Sequence, residues 1–121
     1  SLLKALRVQE RVSRVGFDWE KAEDVIKKVE SEFDEFKSAL KERDERKIEE
    51  EFGDILFTLV NLSRFVGLNP EEALRKTISR FISRFSYIET SAKQEGRALA
   101  DYTLEEMDHL WEEAKRAEKH S

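Results

Sequence analysis

Two segments of the chain carry the same pair of acidic residues beside the same apolar pattern. Residues 29–36 read VESEFDEF, and residues 48–55, nineteen positions later, read IEEEFGDI. Aligned, the acids occupy identical positions, Glu32 with Glu51 and Glu35 with Asp54. Carboxylate oxygens are the ligands that Mg²⁺ prefers, and Mn²⁺ accepts them as well. The repeated pair therefore indicates a site for a hard divalent cation.

The elements that must position these acids are helices. Apolar residues recur at three- and four-residue steps almost throughout the chain, and strand-like alternation is absent. Asp18 is predicted to cap the second helix, Asn69 and Pro70 to begin the fourth, and Thr103 with Glu106 to form a capping box for the fifth. The sequence predicts an all-α chain with helices over residues 2–14, 19–42, 45–66, 70–94 and 104–118.

The helical period places each acid around its helix. Successive residues turn by about 100°, so Glu32 lies near −60° and Glu35 near −120° from Val29. Glu51 and Asp54 take the same angles from Ile48. Each pair is therefore predicted at the shoulder of a buried stripe. The two stripes are Ala22, Ile26, Val29, Phe33, Phe36 and Leu40, and Ile48, Phe52, Ile55, Leu59, Leu62 and Val66.

A hairpin turning near residue 43 brings the four acids to one height. In antiparallel register, Glu32 is level with Asp54 and Glu35 with Glu51. Four carboxylates so close repel one another, and a divalent cation relieves that repulsion. The alternative is that both pairs are ordinary acids on solvated helix faces. Redox iron is disfavoured because the two histidines, His109 and His120, lie near the C-terminus without ligand-like spacing.

Gly53 lies level with Phe33 in the same register. A glycine costs about 1 kcal/mol in the interior of a helix, so a compensating reason is expected here. Either the two helices approach closely at this point or the position leaves room beside the acids.

A basic stripe follows on the fourth helix. Lys76, Arg80 and Arg84 are spaced by four residues. The planar fork of arginine can make two hydrogen bonds to a phosphate. The alternative is a solvated helix edge whose bases pair with neighbouring acids.

The two tryptophans are ambiguous. Trp111 and Lys115 stand one turn apart, so Trp111 can stack on a base while Lys115 meets a phosphate. Alternatively, Trp111 anchors the last helix to the core. Trp19, next to the predicted cap, allows the same two interpretations.

Composition limits the remaining classes. The chain has 121 residues, which favours a single domain over 1–121. The net charge of −5 argues against general nucleic-acid binding, and the absence of cysteine excludes thiol chemistry. The longest apolar stretch, at 55–60, is far below the ~20 residues of a membrane span. We expect a soluble, cytoplasmic protein. Because the chain begins with Ser1, it is either processed or part of a longer two-domain chain.

These groups together predict a chemistry. Carboxylates with Mg²⁺ can activate water and bind a polyphosphate. Arginine and lysine can neutralise the charge that develops on the leaving phosphate. The residues therefore suggest hydrolysis of a nucleotide polyphosphate.

Five blocks of the chain extend this interpretation to a family. The acid spacing resembles the E-x-x-E … E-x-x-D signature of all-α nucleoside triphosphate pyrophosphohydrolases. The ordered blocks resemble those of the MazG family, and most closely the C-terminal domain of two-domain MazG proteins, from about residue 5 to 117. The blocks are VGFDW at 15–19, KVESEFDEF at 28–36, EEEFGDILFTLVNLSRFVG at 49–67, RFISRF at 80–85 and LEEMDHLWEEAKR at 104–116.

The resemblance implies a fold, a reaction and roles. The fold is an antiparallel helical hairpin with flanking helices, in which dimerisation completes a four-helix-bundle core. The reaction is hydrolysis of a nucleoside triphosphate between the α and β phosphates, giving a monophosphate and pyrophosphate. Mg²⁺, with Mn²⁺ as a substitute, is held by catalytic Glu32, Glu35, Glu51 and Asp54. Substrate is bound by Asn61, Arg80, Arg84, Trp111 and Lys115, in a homodimer or higher homo-oligomer. The basic stripe adds Lys76 to the candidate substrate-binding residues.

One departure from the pattern keeps alternatives open. Many members carry an additional acid just before the first ligand, where this chain has Ser31. Glu35 or Glu50 would then take over any role of that acid. The rival functions are a narrower sibling enzyme acting on dUTP, dCTP or phosphoribosyl-ATP, a helical module that binds nucleotide and metal without turnover, and a plain structural bundle.

Overall fold

The architecture is all-α, as the periodicity predicts. The computed structural model describes residues 1–119, and His120 lies outside the described residues. No strand occurs within the described part of the chain. A short 3₁₀ turn, Leu99–Asp101, precedes the last helix. The five helices are α1 (Leu2–Ser13), α2 (Ala22–Glu42), α3 (Glu45–Phe65), α4 (Pro70–Glu95) and α5 (Leu104–Lys119).

Local capping chemistry sets most of the helix ends. Arg43 takes a left-handed conformation (φ 57°) that ends α2, and the Asp44 carboxylate accepts from the Lys47 amide to begin α3. The Asn69 side chain accepts from two amides of the first turn of α4. Thr103 and Glu106 form the predicted capping box at α5, with bonds of 2.9 and 3.1 Å. The predicted Asn69 cap and the predicted Thr103–Glu106 capping box are confirmed.

The predicted cap of α2 is wrong. The helix begins at Ala22, and its N-cap position is Lys21, which makes no side-chain capping bond. Asp18 instead accepts a hydrogen bond of 2.6 Å from the Arg64 guanidinium and another from the Trp19 amide. A charge-assisted bond to arginine is stronger than a neutral capping bond, so Asp18 is held by α3 rather than by α2.

The chain forms two compact units, Ser1–Ala73 and Leu74–Ser121. In the first unit, α3 packs antiparallel on α2 and also contacts α1. In the second unit, the Phe81 and Trp111 rings lie 5.2 Å apart and join α4 to α5. Ala114 on α5, together with Ile88 and Ala92 on α4, is buried.

The buried face of α2 differs from the predicted stripe. The buried residues are Val25, Glu32 and Ala39, while Phe33 and Leu40 are 48% and 49% exposed. Each buried residue is one position before a predicted one, a rotation of about 100° around the helix. The periodic pattern shows which positions are apolar, and α3 determines which of them are covered within the chain.

Gly53 on α3 has open space around it. A Cβ atom at this position would meet nothing within 4 Å. The close approach of two helices, one of the two expected reasons for this glycine, is therefore wrong, and room beside the acids remains as the other.

Among the described helices, none combines the length and the apolar character needed to cross a membrane.

Candidate metal and nucleotide site

The α2–α3 hairpin brings the four predicted acids together. The Phe36 and Phe52 rings lie 5.9 Å apart across the hairpin, close to the predicted register. Glu51 on α3 interacts with the Glu35 carboxyl on α2, as that register requires. The charges of Asp54 and Glu32 also act on Glu51, so one cluster contains all four carboxyl groups.

Glu51 is the most perturbed acid of the cluster. Its pKa is raised, first by burial, then by interaction with the Glu35 carboxyl and by the negative charges of Asp54 and Glu32. Its Oε2 atom is buried and has no hydrogen-bond partner among the described residues. A buried carboxylate oxygen without a partner is costly, and a cation is the natural partner for it.

Glu32 lies in the buried face rather than at its shoulder. The residue is only 5% exposed, and the Thr58 hydroxyl donates a hydrogen bond to its Oε1 atom. The sequence analysis missed Thr58. The available signal was a single hydroxyl within the apolar stretch ILFTLV, one turn after Asp54 on the helix that carries the second acid pair.

The chemistry of these four side chains suits a divalent cation. All four candidate ligands are carboxylates, which suits Mg²⁺ or Mn²⁺, and the Glu51 carboxyl, whose Oε2 atom is unpartnered, interacts with the other three acids. In the part of the chain that the structure describes, no three Asp, Glu, His or Cys side chains converge as a preformed metal cage. Carboxylates that repel one another are not expected to converge before a cation compensates their charge.

A cavity of about 590 Å³ adjoins this cluster within the first unit. Its walls come from α1, residues 16–19, α2 and α3, and Thr58 lines it while donating a hydrogen bond to Glu32 of the acid cluster. Asn61 lies in this wall, where its Oδ1 atom accepts hydrogen bonds from Arg64. Trp19 lies in the same wall. The resemblance had predicted that Asn61 binds substrate. For Trp19, both base stacking and anchoring to the core had been possible interpretations.

The predicted basic and aromatic residues belong to the second unit. The Arg84 guanidinium pairs with Glu118 at 3.1 Å and lies 5.4 Å from the Trp111 ring centre. Trp111 also packs on Phe81, so it anchors α5 to α4, which was the alternative interpretation. Arg80 donates to the Thr77 hydroxyl.

The two lysines of the predicted substrate set are less constrained. Lys115 lies 3.9 Å from Glu112 on the same helix face, and Lys76 is exposed. The structure therefore groups Arg84 with Trp111. Their predicted contacts with substrate stay predictions, as do those of Lys76, Arg80 and Lys115.

Comparison with known proteins shows the family to which the chain belongs. Residues 20–88, more than half of the chain, match the family model described as the MazG nucleotide pyrophosphohydrolase domain. Over 115 residues the chain is 46% identical to the nucleoside triphosphate pyrophosphohydrolase/pyrophosphatase MazG of Thermotoga maritima, covering 95% of this chain and 44% of that protein. Over 120 residues it is 38% identical to the nucleoside triphosphate pyrophosphohydrolase of Escherichia coli, covering 98% and 46%.

A third relative matches over a shorter segment. The uncharacterized protein YabN of Bacillus subtilis is 57% identical over 77 residues, which covers 64% of this chain and 16% of that protein. The chain thus spans less than half the length of each of these three relatives. Residues 20–88, which match the family model, contain both acid pairs and the whole α2–α3 hairpin. The chain belongs to the MazG nucleotide pyrophosphohydrolase domain family.

Proposed function

We propose that this chain hydrolyses nucleoside triphosphates between the α and β phosphates, giving a nucleoside monophosphate and pyrophosphate. The observation that carries the proposal is the four-acid cluster of the hairpin, in which Glu51 keeps a buried oxygen without a partner. The names of the Thermotoga and Escherichia relatives support the same class of reaction.

In this proposal, Glu32, Glu35, Glu51 and Asp54 hold Mg²⁺, for which Mn²⁺ is a possible substitute. The ion, when bound, supplies charge neutralisation for the polyphosphate and lowers the pKa of a coordinated water. Thr58 orients the Glu32 carboxylate by donating to one of its oxygens. The Oε2 atom of Glu51 is shielded from solvent, which strengthens its electrostatic attraction to a cation.

Basic and aromatic side chains are proposed to bind the nucleotide. Arginine suits the developing charge on the leaving pyrophosphate because its guanidinium donates two parallel hydrogen bonds. The proposed set is Asn61, Lys76, Arg80, Arg84, Trp111 and Lys115. For Arg84, binding to phosphate requires that its pair with Glu118 be exchanged for a pair with the substrate.

A second copy of the chain is the proposed partner. Seven large apolar side chains on α2 and α3 are each between 42% and 53% exposed, which favours a covering surface of the same kind. They are Ile26, Phe33, Leu40, Phe52, Leu56, Phe57 and Leu59. Sedimentation equilibrium should give at least twice the chain mass of 14.3 kDa. Phe33→Glu should shift the mass towards that of one chain, whereas Leu104→Glu, at an exposed position on α5, should not.

A substrate panel tests the reaction and separates its rivals. Pyrophosphate and monophosphate release would be measured from ribo- and deoxyribonucleoside triphosphates and phosphoribosyl-ATP, with Mg²⁺ and with chelator. Metal-dependent release from several substrates supports the proposal, and release from only dUTP, dCTP or phosphoribosyl-ATP favours a sibling enzyme. Tight nucleotide binding without release favours a binding module. A melting temperature indifferent to Mg²⁺ and nucleotide favours a structural bundle.

A further inference from the structure

The cavity beside the acid hairpin has the size and lining of a small-molecule site. Its volume of about 590 Å³ lies within the roughly 300–1,000 Å³ that is typical of ligand pockets. Most of its lining is apolar or aromatic, with a few polar groups. The lining residues include Gln9, Phe17, Trp19, Lys28 and Thr58.

Gln9 presents an unused hydrogen-bond acceptor in this wall. The residue is 3% exposed, and its Nε2 atom donates a bond of 2.8 Å to the backbone oxygen of Phe57. A carbonyl oxygen can only accept, so this bond fixes which end of the amide faces α3. The Oε1 atom is buried and has no partner among the described residues. Gln9 therefore brings to the cavity wall a fixed acceptor that lacks a donor among the described residues.

The same cavity touches the acid cluster. Thr58 lines the cavity while its hydroxyl donates to Glu32. Lys28 also lines it and precedes Glu32 by one helical turn on α2. A molecule whose phosphates lie at the hairpin can therefore place an aromatic group in the cavity. Trp19 and Phe17 are 41% and 79% exposed there, and exposed aromatic rings are suitable surfaces for base stacking.

We propose that this cavity binds the base of the substrate nucleotide and that Gln9 Oε1 accepts a hydrogen bond from an exocyclic amino group. Cytosine, adenine and guanine carry such a group, whereas uracil and thymine have a carbonyl oxygen at the position of the cytosine amine. Two acceptors facing each other leave both without a donor, so uracil and thymine are disfavoured. The inference rests on the proposed function, since it assigns a base preference to the substrate of that reaction.

Side-chain amide resonances test the binding without turnover. The chain contains two glutamines, Gln9 and Gln94, and two asparagines, Asn61 and Asn69, so an NMR spectrum has four such pairs to assign. In the presence of chelator, cytidine monophosphate should shift the Gln9 and Asn61 pairs and leave Gln94 and Asn69 unchanged. Uridine monophosphate should bind about tenfold more weakly, as expected for one unsatisfied buried acceptor. Equal shifts with both, or none at Gln9 at millimolar concentration, would overturn the proposal.

A ratio of turnovers tests the role of Gln9 in the working enzyme. The quantity is kcat/KM for CTP divided by that for UTP, which a general loss of stability does not change. Gln9→Met keeps a similar volume and removes the acceptor, so the ratio should fall about tenfold, towards one. Gln94→Met makes the same change on an exposed part of α4 and should leave the ratio unchanged. A ratio that is already near one in the wild type, or that survives Gln9→Met, contradicts the proposal.

The two hypotheses fail in different ways. If the wild type releases no pyrophosphate from any nucleotide, the proposed function fails, and the resonance shifts with cytidine monophosphate still test the cavity. If pyrophosphate is released with no effect of Gln9, the proposed function stands and the base assignment is wrong.

Discussion

The acid hairpin and the start of α5 use carboxylates in opposite ways. On the hairpin, Glu51 is half-buried among other acids, its pKa is raised, and its Oε2 atom has no hydrogen-bond partner among the described residues. At the start of α5, Glu106 accepts from the Arg97 guanidinium and the Thr103 amide, and its pKa is lowered to about 2. The surroundings of Glu51 therefore disfavour its negative charge, whereas Arg97 and Thr103 stabilise the negative charge of Glu106.

This difference separates a functional arrangement from a structural one. A protein gains stability when an acid is capped and paired, as Glu106 is, so that arrangement needs no ligand to explain it. Acids that repel one another reduce stability, and perturbed groups of this kind are concentrated at functional sites.

Removing one charge from the hairpin should have the largest effect on activity. Glu51→Gln or Asp54→Asn should lower metal-dependent turnover by at least about 100-fold. This effect is larger than the one usually seen when only a hydrogen-bond partner of a metal ligand is removed. Circular dichroism should show unchanged helix content, because the substitution also removes repulsion. Glu49→Gln removes an exposed acid from the same helix and serves as the control. Unchanged turnover in both hairpin variants would refute the metal assignment.

The hydroxyl that orients Glu32 should come next. Thr58→Val removes the donor and keeps the shape, so the dissociation constant for Mg²⁺ or Mn²⁺ should rise by about 10- to 100-fold. At saturating metal the loss in kcat should be smaller, which distinguishes a positioning role from simple damage to the fold. Thr90→Val, at an exposed position on α4, is the matched control. Equal metal affinity in wild type and Thr58→Val would exclude this role.

Arg84 tests whether a pair in the second unit is structural or functional. Arg84→Lys keeps the charge and removes the planar fork, so kcat/KM should fall by about tenfold if two parallel bonds reach the phosphate. Glu118→Gln weakens the observed ion pair and should change kcat/KM by less than about threefold. If both variants lower activity and the melting temperature alike, the pair with Glu118 is the whole role of Arg84.

The serine before the first acid pair offers a test in the direction of gain. Ser31 is exposed and directly precedes Glu32. Ser31→Glu supplies the acid that many family members carry there. We expect kcat to rise by at most about tenfold, which is below the usual contribution of a general base. Ser31→Gln, which has similar size and no charge, controls for packing. No gain with Ser31→Glu would assign that role to Glu35 or Glu50.

Substitution of Glu106 should have the smallest effect, a change in the free energy of unfolding. The direction of its pH dependence follows from the pKa of Glu106. The folded-state pKa of Glu106 is lowered from 4.5 to about 2, so its stabilising contribution is present above pH 4.5 and is lost as the pH falls towards 2. Urea unfolding of wild type and Glu106→Gln should differ at pH 7 and converge near pH 2. The difference should be small because the Glu106 side chain is 42% exposed. A difference that grows as the pH falls would contradict this assignment.

Local chemistry made much of the fold predictable. The Asn69 cap and the Thr103–Glu106 box each act within three residues, so the sequence was sufficient to place the starts of α4 and α5. The acid cluster was predictable for a related reason. The short turn at Arg43 and Asp44 leaves little freedom in the register of the two helices that it joins.

The features that escaped prediction depend on distant partners. Asp18 was expected to cap α2, but its partner Arg64 lies 46 residues away. Thr58 and Gln9 gain their significance from groups 26 and 48 residues distant, Glu32 and the Phe57 carbonyl. No local pattern in the sequence encodes such pairs. The rotation of the buried face on α2 has the same origin, because only the packing of α3 determines which positions are covered.

Direct binding of Mn²⁺ tests the central claim, that the hairpin acids form a divalent-cation site. Electron paramagnetic resonance would quantify free Mn²⁺ in titrations of the wild type, Glu51→Gln and Glu49→Gln. We predict saturable binding to the wild type and to Glu49→Gln, competed by Mg²⁺, and binding to Glu51→Gln that is weaker by at least about 100-fold. Equal binding to all three proteins, or no saturable binding to the wild type with or without nucleotide, would contradict the account.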